Sequence, residues 1–89
     1  MNGELHLTVQ NKTWNEVVNG RQKFIYRDTT KYFRDRIQKQ IPYKVTFRKE
    51  YTNIRISYEV LGVTVGYGDP KYGSDEKKKY YIIQIGKRV

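Results

Sequence analysis

Tyr43-Lys44-Val45-Thr46-Phe47-Arg48-Lys49-Glu50-Tyr51-Thr52-Asn53-Ile54-Arg55-Ile56-Ser57-Tyr58-Glu59-Val60 alternates large apolar with polar side chains twice over. Tyr43, Val45 and Phe47 share one parity, and Ile54, Ile56, Tyr58 and Val60 share one after the break. A period of two puts each set on one face of an extended chain, which predicts two half-buried strands joined by a turn near Lys49–Asn53. Leu61-Gly62-Val63-Thr64-Val65 continues or bends the second strand, with Gly62 marking a bulge or corner. Downstream, 66–79 gathers Gly66, Gly68, Asp69, Pro70, Gly73 and Ser74 ahead of Lys77-Lys78-Lys79, the composition of a loop. Tyr80–Ile85, rich in aromatic and β-branched residues, reads as the last strand.

Upstream the period changes. Residues 29–39 read as a helix opened by Asp28, Thr29 or Thr30, with Phe33 and Ile37 one turn apart on its buried face, and Pro42 closes it. Residues 22–27 read as a strand. Thr13-Trp14-Asn15-Glu16 fits a capping box, followed at helical spacing by Val17 and Val18, and Gly20 is placed to end that short helix in a left-handed turn. In residues 4–9 Leu5, Leu7 and Val9 form one apolar row and His6 points away from it. The sum is one α+β domain over 1–89, a small closed or partly closed β-barrel of about five to six strands with two short helices inserted near the N-terminus.

Composition narrows the chemistry. The 89 residues include no cysteine and one histidine, which removes disulfides, thiolate zinc sites and cysteine nucleophiles, and leaves no His-based metal cluster. Acids are scattered, so no metal site and no cofactor are expected. Gly66-Tyr67-Gly68 leads into a loop and a strand rather than a helix, which fails the phosphate-cradling pattern. No apolar run reaches the length of a membrane span, and a soluble, cytoplasmic monomer is expected.

Eighteen Lys and Arg against nine Asp and Glu give a formal charge of +9. Residues 1–49 hold eleven of those cations against four acids. Tyr26, Tyr32, Phe33, Tyr43 and Phe47 are interleaved with them. Cations for phosphates and aromatic faces for stacking compose a single-strand or RNA-binding surface, although a small barrel also spends aromatics on its core.

The stretch Gly20-Arg21-Gln22-Lys23-Phe24-Ile25-Tyr26-Arg27-Asp28, preceded by an amphipathic helix and followed by Tyr32-Phe33-x-x-Arg36-Ile37, resembles the ASCH domains of the PUA-like superfamily. Val45–Tyr51, Glu59-Val60-Leu61-Gly62, Gly66-Tyr67-Gly68 with Tyr72-Gly73, and Tyr80–Lys87 resemble stretches of small bacterial and phage ASCH-type proteins, in the same order. The resemblance implies a PUA-like barrel and a cleft between the first helix–strand turn and the barrel, where relatives engage RNA or modified nucleosides. Gly20 and Arg27 match the family's positions there. Gln22 and Ile25 stand where the family carries a lysine and a Glu or Thr. Some relatives remove the acetyl group from N4-acetylcytidine with those residues and a glutamate. Glutamine does not titrate and isoleucine has no polar group, so catalysis here would fall to Lys23, which shares strand parity with Arg27, working with Glu50 or Glu59.

The residues therefore point first to a nucleic-acid-binding module. Arg27 supplies a two-pronged anion or base-edge contact, Gln22 a base-edge hydrogen bond, Tyr26 or Tyr32 a stacking face, and Lys12, Arg21, Lys23, Arg36 and Arg48 phosphate contacts. The competing role for Arg27 is structural, pairing with Asp28 or Glu59 to brace the barrel. The alternatives are the small amidohydrolase and a phage or mobile-element protein that grips a host protein through its exposed aromatics and arginines.

Overall fold

A computed structural model describes residues 3–39 and 41–89. β1 (Glu4–Val9) runs through Gln10 into α1 (Asn11–Val18), followed by β2 (Phe24–Asp28), α2 (Lys31–Phe33) and a π-helical turn (Arg34–Gln38). β3 (Lys44–Lys49), β4 (Arg55–Tyr67), a 3₁₀ turn (Pro70–Tyr72) and β5 (Lys79–Arg88) complete the chain.

The five strands form one mixed sheet in the order β1-β3-β4-β5-β2. β1 pairs with β3 in parallel, from Glu4 opposite Lys44 to Val9 opposite Lys49. Parallel pairing needs a long crossover, and the α1–β2–α2 insertion supplies it. The other neighbours are antiparallel, with register shifts in β4 between Tyr58 and Val60 and between Val60 and Gly62. Such bulges bend a strand, and here they let the 13-residue β4 serve β3 with one end and β5 with the other. The result is a half-barrel, partly closed: β1 and β2 are its two outer strands, and no ladder joins them among the described residues.

Leu5, Leu7 and Val9 of β1, Ile25 of β2, Val45 and Phe47 of β3, Ile56 and Tyr58 of β4, and Tyr81, Ile83 and Ile85 of β5 are all buried. Val17 of α1 and Ile37 of the π-helical turn close over them, with Trp14, Phe33, Val60 and Val63 packed at the margin. The period-two reading holds for β1, β3, β5 and the first part of β4, but Tyr43 and Ile54, just outside β3 and β4, are exposed, and the alternation in β4 lapses after Tyr58, where the register shifts begin.

Several sequence expectations change at the ends of elements. Thr13 and Glu16 do not form a capping box, because α1 starts earlier, at Asn11. The parallel ladder carries β1 to Val9, whose carbonyl accepts from Glu50 N–H at 3.0 Å, so the helix follows at once. Its first amide, Asn11 N–H, lies 3.4 Å from the Glu50 carboxylate on the β3–β4 turn. Gly20 does end the helix, at φ 76°, with Gly20 N–H donating to Val17 O and Arg21 N–H to Glu16 O. The second helical segment runs over Lys31–Gln38 as an α-turn continued by a π-turn, and Thr30 Oγ1 caps it by accepting from Phe33 N–H. The loop shortens at both ends, since β4 reaches Tyr67 and β5 starts at Lys79.

Candidate functional site

Both outer strands line one cleft of about 730 Å³, so it lies at the seam the half-barrel leaves open. Thr8 and Val9 end β1 on one side of it, and Gln10, Lys12, Thr13 and Glu16 come from the start and inner turn of α1. Arg21 and Gln22 enter from the α1–β2 turn, Arg27 from β2, and Lys71, Tyr72 and Gly73 from the 3₁₀ turn. Four cations face a single acid, Glu16, and that acid is bound to Arg21 Nε at 2.7 Å. The cleft is electropositive with polar walls.

The left-handed Gly20 aims the turn. Its reversal lets Glu16 O accept from both Arg21 N–H (2.9 Å) and Gln22 N–H (3.1 Å), which fixes those two residues against the end of α1. Beyond them, Ile85 N–H donates to Lys23 O. Residues 23, 25 and 27 thus bond β5 in the antiparallel alternation, and the carbonyls of Phe24 and Tyr26 turn toward the open edge. Each finds a side chain: Gln22 Nε2 donates to Phe24 O at 2.9 Å and Arg27 Nη1 donates to Tyr26 O at 2.9 Å. An uncapped edge would invite another strand, so both residues guard β2 while lining the cleft.

Arg27 has donors left over. Guanidinium carries five N–H groups, and one contact to Tyr26 O is the side-chain hydrogen bond it makes among the described residues. Neither carboxylate suggested by the sequence neutralises it. Asp28 instead holds Lys78 Nζ at 2.9 Å, and Glu59 Oε1 accepts from Lys87 N–H at 2.9 Å. Burial pulls the Arg27 pKa below its ordinary value, with the neighbouring Asp28 charge acting the other way. A guanidinium still keeps its proton. What results is a half-buried cation with no ion pair among the described residues, beside a cleft.

Tyr72 forms one wall, with its hydroxyl 3.4 Å from Arg21 O. Tyr26 stacks on Tyr72 at 6.3 Å and 25°, and Tyr80 meets Tyr26 edge-on at 6.1 Å. Desolvation raises the Tyr26 pKa, with Asp69 and Tyr72 adding to the rise. The segment that carries Tyr72 is built rather than slack. Asp69 Oδ1 accepts from Lys71 N–H at 3.0 Å, Gly73 takes φ 76°, and Ser74 is buried.

Of the residues named from sequence, Lys12, Arg21, Gln22 and Arg27 come together in the cleft, and Tyr26 lies behind its Tyr72 wall. Lys23 does not join them. Four residues of extended chain separate it from Arg27 by roughly 13 Å, and it lines a second, more apolar groove of about 770 Å³ with Phe24, Leu61 and Glu59. Glu50 sits at the start of α1. Tyr32 and Arg36 pair with each other, the guanidinium 3.7 Å above the ring. Arg48 lies between β1 and the β3–β4 turn, its Nε 3.4 Å from Thr8 Oγ1 and its Nη1 donating to Thr52 O at 3.0 Å. Lys71 and Tyr72 were missed by the sequence reading of the site. Asp69-Pro70-Lys71-Tyr72-Gly73 carried the signal, with a capping acid, a proline at the first turn position and a left-handed glycine after it.

No protein-family model, curated protein or solved structure matches the chain. Among the described residues no helix is long and apolar enough to cross a membrane.

Proposed function

We propose that the chain is a cytoplasmic, monomeric nucleic-acid-binding module, RNA foremost, that seats a nucleotide in the seam cleft. The observation that carries this reading is Arg27: half-buried, with no ion pair among the described residues, and lining one cleft with Lys12, Arg21 and Lys71. An unneutralised, partly desolvated guanidinium is stabilised by an anion, and its fork fits phosphate or a base edge in two-pronged fashion. Gln22 supplies an amide beside it, and Tyr72 supplies an aromatic wall. The cleft volume suits a nucleotide-sized guest. The resemblance to ASCH domains supports the same reading, since it implies a nucleoside cleft at the first helix–strand turn.

For the amidohydrolase alternative, Lys23 and Glu59 share the second groove, away from Gln22 and Arg27 in the cleft, while Glu50 meets α1. Glu59 Oε1 there accepts from Lys87 N–H. Binding is therefore the reading advanced, and release of cytidine from N4-acetylcytidine, lost in Lys23→Ala, is the result that would displace it.

The test is equilibrium binding of a labelled single-stranded RNA to the wild-type chain and to Arg27→Met. Loss of a charge-assisted contact weakens affinity about tenfold or more. Unchanged affinity in Arg27→Met, with the fold intact by circular dichroism, contradicts the assignment.

A further inference from the structure

We propose that the cleft is one end of a longer track for single-stranded nucleic acid, continued from Tyr72 of the 3₁₀ turn by Tyr26 of β2 and Tyr80 of β5 on the outer face of the sheet, with Lys71 and Lys78 beside its two ends. This rests on the nucleic-acid reading above and extends it to a substrate class, an unpaired strand several nucleotides long.

The track begins at the cleft wall. Tyr72 lines the cleft, Tyr26 stacks on it, and Tyr80 abuts Tyr26. Tyr26 and Tyr80 have the parity opposite to buried Ile25, Tyr81 and Ile83, so they stand on the outer face of the sheet. All three rings are half-buried, so each keeps accessible surface. Two carry a cation at the ring: Lys71 Nζ is 5.5 Å from the Tyr72 centroid, and Lys78 Nζ is 5.3 Å from the Tyr80 centroid. Contiguous aromatic rings with a positive charge beside the two outer ones, Tyr72 and Tyr80, suit a chain whose unit is one flat base and one phosphate.

The rings are also held in place. Tyr72 is tethered to Arg21 O, and the Tyr80 hydroxyl accepts from Asp75 N–H at 3.1 Å. Two of this segment's three acids accept from its own backbone, Asp69 from Lys71 N–H and Asp75 from Lys77 N–H, and the third, Glu76, is exposed. Lys78 is engaged by exposed Asp28, an ion pair in solvent that a phosphate can displace. Paired bases bury their faces in the duplex, so this surface selects single strands.

The experiment compares a labelled dinucleotide with a single-stranded RNA of roughly ten nucleotides, within the range one small domain covers. The longer RNA is expected to bind at least about tenfold more tightly and with a steeper salt dependence, because Lys71 and Lys78 then meet phosphates. Tyr80→Leu is expected to weaken the longer RNA about fivefold or more beyond whatever it costs the dinucleotide. Lys78→Ala, at an exposed site that folding does not need, is expected to weaken the longer RNA alone. Tyr51→Ala, outside both the cleft lining and the track, changes neither. Equal affinity for both lengths, indifference of the longer RNA to Lys78→Ala, or equal binding of a duplex overturns the track and leaves the cleft standing. Failure of both lengths to bind at low salt removes the cleft reading and the track with it.

Discussion

Among the described residues Arg27 is held by one hydrogen bond to its own strand and by no carboxylate, so its removal separates binding from stability. Losing this hydrogen bond lowers stability by about 1–2 kcal/mol, a loss read from denaturant midpoints independently of the roughly tenfold loss expected in affinity. Tyr51 is the opposite case. It takes φ 63° and is 94% exposed, so it carries left-handed strain with no packing to offset it. Tyr51→Gly is expected to raise stability by about 0.5–1 kcal/mol, a few degrees in the thermal midpoint, and an unchanged or lower midpoint in calorimetry counts against that account. At this scale the sequence was legible where parity decides. Arg27 follows Ile25 by two, so it flanks the core. Lys23 has the same parity and still falls outside the cleft, because parity says nothing about distance along a strand.

At the scale of elements, the strands were legible because each buries one face, and their ends were not because contacts distant in sequence set them. α1 illustrates this: the β1–β3 ladder and Glu50 decide its start, and no local motif reports either. That ladder has a charge clasp, Glu4 with Lys44 Nζ at 2.7 Å. The hydrogen bond and charge of Lys44 hold the Glu4 carboxyl below its ordinary 4.5. A depressed acid stabilises above its unfolded pKa and loses that contribution as pH falls through the lower folded value. Unfolding followed from pH 6 downward should therefore show a shallower acid limb in Lys44→Met than in wild type, and identical limbs would exclude the clasp. The 68–78 segment depends on Gly68 in the same direct way. A Cβ there would stand 2.5 Å from Asp75 O, 2.6 Å from Ser74 Cβ and 2.7 Å from Tyr80 Cε2. Gly68→Ala is expected to lower stability by about 1–3 kcal/mol, read from denaturant midpoints, and to loosen the Tyr72 wall. A midpoint equal to wild type would mean the segment yields without strain.

For the whole molecule, the charge of +9 was plain in the sequence and its gathering place was not. The first half holds most of the surplus, yet the cleft takes only Lys12, Arg21 and Arg27 from it and adds Lys71 from the second half. Strand order explains the difference. β1 and β2 are successive strands at opposite borders of the sheet, so α1 between them spans the opening, and the β4–β5 connection brings the 3₁₀ turn to the same place. The central claim is that this opening binds a polyanion, and its most direct measurement is the affinity for single-stranded RNA across a salt series. Three to four phosphate contacts give a log–log slope of about −2 to −3, and that slope is the predicted result. A slope near zero, or no binding at the lowest salt, would contradict it.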